Sequence, residues 1–213
     1  KGRLREIRSL AKNLKLTVEP VQRPQLDRLG ENHQGVALEC GPYPYVDLQD
    51  VLDRAAERGE PPFVLILDAL QNPQNMGTLL RTAEAAGVHG VLIPFRRTAS
   101  VTPAVVHASA GATEHLLVAQ GNLAQSIDRL KAAGLWVIGL EGGPEAEPVE
   151  RVRLDGALAL VVGNEGEGMR DLTRKSCDAL LRLPMCGQIE SLNAAVAGSI
   201  ALYLALQART AAR

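Results

Sequence analysis

The chain has 213 residues, 46% of them hydrophobic and 22% charged, with a formal net charge of −1 at pH 7. Such a chain is long enough for one sizeable domain plus a small appendage, apolar enough to pack, and too evenly charged to present a chain-wide basic footprint for nucleic acid. It has no charge-free run of about 18 apolar residues, no signal-peptide pattern and no C-x-x-C spacing among Cys40, Cys177 and Cys186, so a reducing, cytoplasmic setting is expected, without membrane span, disulfide framework or zinc site.

The sequence opens at Lys1 rather than Met and reads as a fragment or a processed product. Leu4, Ile7, Ala11 and Leu14 recur at helical spacing while Arg5, Arg8, Lys12 and Lys15 share another face, so residues 1–15 form an amphipathic helix with a basic stripe. Solvation is the ordinary fate of such a stripe; contact of Arg5, Arg8 and Lys12 with RNA phosphates is the sharper reading. A short strand, a second helix and a strand GVALEC at 35–40 are expected next. That is small for a free-standing core, and residues 1–42 read as part of a larger accessory domain. GPYPY at 41–45 interrupts the pattern with two prolines and begins a linker over 43–61.

From Phe63 onward, apolar runs of strand length alternate with helical patterns. FVLILD (63–68) precedes a helix from Gly77 to Ala86 that Gly87 closes; HGVLIP (89–94) precedes a helix near 103–110; HLLVA (115–119) precedes one over 123–133, closed by Gly134. LWVIGL (135–140), ALALVV (157–162), a helix over 169–176, ALLRLP (179–184) and a final helix over 191–208 complete residues 62–213. Near-continuous apolar strands separated by helices predict an α/β domain with a parallel sheet covered on both faces, its functional loops at the carboxyl ends of the strands.

Three stretches at those ends carry chemistry. Asn72, Pro73, Gln74 and Asn75 follow the first strand and offer amides that hydrogen-bond without charge, with Arg81 a turn and a half further on. Gly163-x-x-Gly166-x-Gly168 follows ALALVV; it reverses the dinucleotide spacing, no P-loop lysine follows, and Glu165 and Glu167 would repel a phosphate. Ser191 is expected to cap the last helix, with Asn193 in its first turn and Ala194, Ala195, Ala197 and Gly198 leaving room for a close neighbour. Taken singly, these are a surface arginine, a tight turn and a helix cap.

In order, N-P-Q-N-x-G-x-x-x-R-x-A, V-V-G-N-E-G-E-G-M and L-P-M-x-G-x-x-x-S-L-N resemble the three motifs of the SpoU/TrmH family of RNA ribose 2′-O-methyltransferases, in the SPOUT superfamily. The resemblance covers residues 62–208. His33, Gln34 and Gly35 resemble the end of the L30e-like accessory domain of the branch that methylates guanosine in 23S ribosomal RNA. The resemblance implies a trefoil knot of the glycine loop with the loop before the last helix, forming a pocket for S-adenosylmethionine. Gly163, Leu183 and Leu192 would hold that cofactor through their main chain, and Leu140, Asn164, Pro184 and Met185 would line the pocket. It further implies a homodimer acting on RNA, without a metal, in which Asn75, Arg81, Glu165, Ser191 and Asn193 are catalytic. A guanidinium does not readily accept a proton, so Arg81 is assigned to the target phosphate and the orientation of the hydroxyl. Glu190 adds a negative charge beside Ser191, close to the implied path of the RNA. The alternatives are a transfer-RNA methyltransferase of the same family, a non-catalytic RNA-binding relative, and a nucleotide-dependent oxidoreductase, against which the missing G-x-G-x-x-G weighs.

Overall fold

The computed structural model describes residues 2–30, 33–164 and 166–212, which fall into two compact units meeting at Pro42 and Tyr43. The smaller unit carries helices α1 (Gly2–Asn13) and α2 (Arg23–Asp27). None of its described residues is buried: of the expected apolar stripe, Leu4, Ile7 and Leu14 are exposed and Ala11 is half-buried. His33 organises the turn after α2: its Nδ1 accepts the Gly35 N–H (2.9 Å), leaving Nε2 3.0 Å from the Asp27 carboxylate. The strands expected in this unit are absent among its described residues. Residues 36–40 form no strand among the described residues; Val36 donates its N–H to the His33 carbonyl (3.1 Å), a local turn rather than a ladder.

The larger unit begins earlier than the expected linker allowed. Tyr43 donates its hydroxyl to the Thr113 carbonyl (2.8 Å) and stacks edge-on to Tyr45, while Val46 bridges to Ala119. Helix α3 (Leu48–Glu57) buries Leu48, Val51 and Ala55. Residues 43–61 are therefore part of the packed unit, not a free connection. Asp47 starts α3, its N–H bonded to Asp50 Oδ2 (2.8 Å), and Arg54 donates to the His115 carbonyl (2.9 Å).

Beyond α3 run β1 (Phe63–Leu67), α4 (Pro73–Ala85), β2 (Gly90–Pro94), α5 (Pro103–Ala108), β3 (Leu117–Gly121), α6 (Leu123–Ala132), β4 (Trp136–Leu140), a two-residue β5 (Glu147–Pro148), β6 (Leu158–Val162), α7 (Asp171–Ser176), β7 (Ala179–Arg182) and α8 (Ala194–Ala211). The seven described strands pair in parallel throughout, in the order β3-β2-β1-β6-β4-β7-β5. β6 enters the gap between β1 and β4, with Phe63 beside Leu158 on one flank and Trp136 beside Leu158 on the other. Alternate residues of β1 serve opposite faces: Phe63, Leu65 and Leu67 join one core with α4 and α8, Val64 and Ile66 another with α3 and α6. That explains why β1 and β6 read as unbroken apolar runs. Gly87 and Gly134 close α4 and α6 with φ of +73° and +85°, a conformation glycine adopts without strain.

Candidate active site

The carboxyl ends of β1, β4, β6 and β7 open on one side of the sheet, and the backbone between them is held in unusual conformations. After β1 come Asp68, fully buried, and Ala69 in the left-handed region at φ +58°. A non-glycine residue there costs free energy and persists where its surroundings fix it. Here Asn164 Nδ2 donates to the Ala69 carbonyl (3.1 Å), while Asp68 accepts the Arg170 N–H at 2.9 Å and its Nε at 2.6 Å. The glycine loop after β6 is thus clamped at both ends to the loop after β1.

The loop itself is a small closed turn. Asn164 and Gly168 exchange backbone hydrogen bonds (3.0 Å each), and Asn164 Oδ1 accepts the Gly166 N–H (2.8 Å). At Gly163 a Cβ would lie 2.4 Å from both the Gly168 carbonyl carbon and the Met169 nitrogen, so glycine is required for the chain to fold back on itself.

Beside this turn lies a cleft whose walls include Leu140, Val162, Gly163, Asn164, Leu183, Met185, Ser191 and Leu192. Six of the seven residues expected to hold the cofactor face it; Pro184 sits between two of them without lining the wall. Glu141 and Glu190 contribute the cleft's charged groups, and no lysine, arginine or histidine lines it among the described residues. Glu141 accepts from Arg174 Nε (2.8 Å), and Arg174 also binds Glu145; the two carboxylates raise its already high pKa further. Apolar walls with carboxylates and a glycine cradle suit a ligand that joins a flat apolar group to positive charge, and suit a phosphate poorly.

The third motif approaches the first through one hydrogen bond: Asn193 Nδ2 donates to Asn75 Oδ1 (3.3 Å). Asn193 is the residue that caps α8, its Oδ1 accepting from Ala195 N (2.9 Å) and Val196 N (3.2 Å). The cap expected at Ser191 therefore falls two residues later, because Ser191 and Leu192 stay outside the helix and line the cleft. Asn75, Thr78 and Arg81 follow one another at i, i+3 along α4, with Thr78 and Arg81 exposed; Arg81 lies outside the cleft wall and has no ion pair among the described residues. Glu165 lies outside the described residues. Arg5, Arg8 and Lys12 are exposed on α1 of the smaller unit.

Sequence reasoning passed over Asp68, Ala69 and Arg170. The signal for Asp68 was present: a carboxylate directly after a fully buried strand needs a partner. Nothing local announces that the partner lies 102 positions on.

A model of the SpoU rRNA Methylase family matches residues 62–203, and a model of an RNA 2′-O ribose methyltransferase substrate-binding domain matches residues 1–46. YacO of Bacillus subtilis (strain 168), assigned to the TrmH family of tRNA/rRNA methyltransferases, is 42% identical over 205 residues, covering 95% of this chain and 82% of that protein. The SpoU methyltransferase AviRb from Streptomyces viridochromogenes, solved in complex with AdoMet, superposes with a TM-score of 0.69 at 28% identity, over 79% of this chain and 66% of that one. An AdoMet-bound rRNA methyltransferase from Sinorhizobium meliloti gives 0.64 at 28% identity, over 68% and 56%. The chain thus spans most of YacO and under two thirds of either solved chain.

Proposed function

This chain belongs to the SpoU rRNA Methylase family, and we propose that it methylates a ribose 2′-hydroxyl of RNA, specifically a guanosine of 23S ribosomal RNA, as a cytoplasmic homodimer. It is an RNA methyltransferase and uses S-adenosylmethionine. The observation that carries the proposal is the cleft: the glycine loop and the loop before α8 share it, its charged groups are carboxylates, and the Asn193–Asn75 bond ties its rim to the helix that bears Arg81. We extend the reading to a trefoil knot formed by those two loops. The match over residues 1–46 supports the smaller unit as an RNA-binding accessory piece, with Arg5, Arg8 and Lys12 toward phosphate, and residues 62–213 as the catalytic domain.

When bound, S-adenosylmethionine supplies an activated methyl group on a sulfonium. Gly163, Leu183 and Leu192 would hold it through main-chain groups against Leu140, Asn164 and Met185, with Glu190 at the cleft favouring its positive charge and Glu141 already paired with Arg174. Positioning dominates the chemistry, since methyl transfer disperses charge. Arg81, exposed and without an ion-pair partner among the described residues, grips the phosphate beside the target ribose and aims the hydroxyl. Asn75, Ser191 and Asn193 fix the ribose and the start of α8, and Glu165 completes the set.

The test is incubation with methyl-labelled cofactor and unmodified transcripts of 23S ribosomal RNA and transfer RNA, followed by nucleoside mass spectrometry. 2′-O-methylguanosine in the ribosomal transcript is expected. Label in transfer RNA alone would move the substrate to the other branch, and label on a base would end the ribose reading.

A further inference from the structure

The chain has two phenylalanines with opposite fates. Phe63 is 1% exposed in the core, whereas Phe95, directly after β2, is 68% exposed and is followed by Arg96 and Arg97, also exposed and without an ion pair among the described residues. From Ala69 to Thr113 the sequence holds a single carboxylate, Glu84, against Arg81, Arg96 and Arg97, so this stretch is net positive in a chain that is net negative overall.

The loop that presents these side chains is built into the catalytic unit. Thr98 Oγ1 (3.0 Å) and Ala99 N (2.8 Å) both donate to the carbonyl of Leu70, two residues before Asn72, which caps α4. Val101 N donates to the Tyr45 hydroxyl (2.8 Å). Thr102 caps α5, and α5 lies so close to α4 that a Cβ on Gly77 would meet the Ala108 Cβ at 2.4 Å. Arg97 takes the left-handed conformation at φ +62°, unfavourable for a non-glycine residue and fixed by these anchors. The loop therefore moves with α4, the helix that carries Asn75 and Arg81, and it leaves the carboxyl edge of the sheet as the site loops do.

We propose that Phe95, Arg96 and Arg97 form a docking surface for single-stranded RNA flanking the target nucleotide: Phe95 stacks on a base and the two arginines hold the adjoining phosphates. This rests on the RNA-methyltransferase reading and adds a contact that the three family motifs do not contain. An exposed phenyl ring offers a sequence-tolerant stacking face, and unpaired arginines beside it neutralise backbone charge.

The experiment uses whichever of the 23S and transfer-RNA transcripts the wild-type chain methylates. Phe95→Ala should weaken RNA binding about 5- to 150-fold, the loss expected for one stacked base. Phe95→Tyr should restore it and Phe95→Leu should not, because leucine keeps the apolar bulk without the π-face. Arg96→Ala and Arg97→Asn, the latter tolerant of positive φ, should each flatten the logarithmic salt slope by about 0.7. Cofactor affinity and melting temperature should stay as in the wild type. A leucine variant that binds as tightly as wild type, unchanged salt slopes in both arginine variants, or a Phe95→Ala change in oligomeric mass with RNA affinity intact would each overturn the proposal while leaving the methyltransferase reading in place. A wild-type chain that methylates neither transcript would remove both.

Discussion

Replacing Gly163 by alanine tests whether the closed turn after β6 is what shapes the cleft. The added methyl would sit 2.4 Å from the Gly168 carbonyl carbon, 2.4 Å from the Met169 nitrogen and 2.6 Å from the Gly168 oxygen. Carbon contacts are optimal at about 3.5–4.0 Å, so something must shift by about an ångström. The obstructing atoms are backbone, clamped through Asn164 to Ala69 and through Arg170 to Asp68, and cannot swing aside as a side-chain end can. Overpacking of this kind costs about 1–3 kcal/mol, which lowers the melting temperature by roughly 2–12 °C for a chain of this size. Asn164 and Gly168 line the cleft, so affinity for S-adenosylmethionine should fall at least about tenfold, the equivalent of 1.4 kcal/mol. Gly139→Ala is the control: its methyl would meet the Met169 Cε at 2.6 Å and Sδ at 2.9 Å, the far end of a flexible side chain, and also the Cys177 Sγ at 3.0 Å. It should melt closer to wild type and keep more of the affinity. Calorimetric titration with the cofactor and thermal melts of both variants decide the matter; a Gly163→Ala chain with wild-type affinity and melting temperature would show that the turn does not shape the site.

Arg81→Ala should abolish methyl transfer while leaving cofactor affinity and melting temperature unchanged, and Arg81→Lys should be nearly as inactive because it lacks the planar fork; near-native turnover by the lysine variant refutes the role given to Arg81. Asp68→Asn puts an amide N–H₂ or a single acceptor where two N–H groups of Arg170 now converge. A loss of about 1–3 kcal/mol in denaturant unfolding is expected, and a midpoint equal to wild type would contradict the clamp. His89 is buried with Nδ1 accepting the Phe63 N–H (3.0 Å) and Nε2 3.1 Å from Glu60, and burial, outweighing Glu60, lowers its pKa below the ordinary 6.5. The unfolded chain then takes up the proton first, so this stabilisation is complete above pH 6.5 and fades as pH falls below it. Melts across that range should fall with acid more steeply for wild type than for His89→Gln; parallel curves would disprove the assignment.

How legible the molecule was depended on whether a signal was local. β1 and β6 could be read because burial on both faces demands an unbroken apolar run, and the carboxyl ends of α4 and α6 because Gly87 and Gly134 mark them, whereas α4 begins at Pro73, capped by Asn72, and not at the expected Gly77. α3 was also written locally, in Asp47, Asp50 and the apolar stripe Leu48, Val51 and Ala55, but the prolines of GPYPY obscured it. GVALEC has strand composition and no described partner, and composition cannot supply one. The two-residue β5 carries no periodicity at all. In the site, ordered motifs put Gly163, Leu183 and Leu192 on one cleft; the Asp68–Arg170 pair and the exposed Phe95 loop depend on which strand ends lie side by side, a long-range property.

The position of β6 has a consequence for synthesis. The ribosome delivers β1, β2, β3 and β4 first, yet the strand that joins β1 to β4 emerges only at residues 158–162. Until then the nascent chain has two apolar strand edges, at β1 and at β4, facing an empty slot of one strand's width, and such edges invite pairing with other chains. Closing the slot requires β1 and β6, nearly a hundred positions apart, to find each other in register, a contact of high sequence separation that slows folding. Chains cut before Leu158 should therefore be recovered as aggregates, and chaperone demand should peak while the polymerised length passes through residues 140–162.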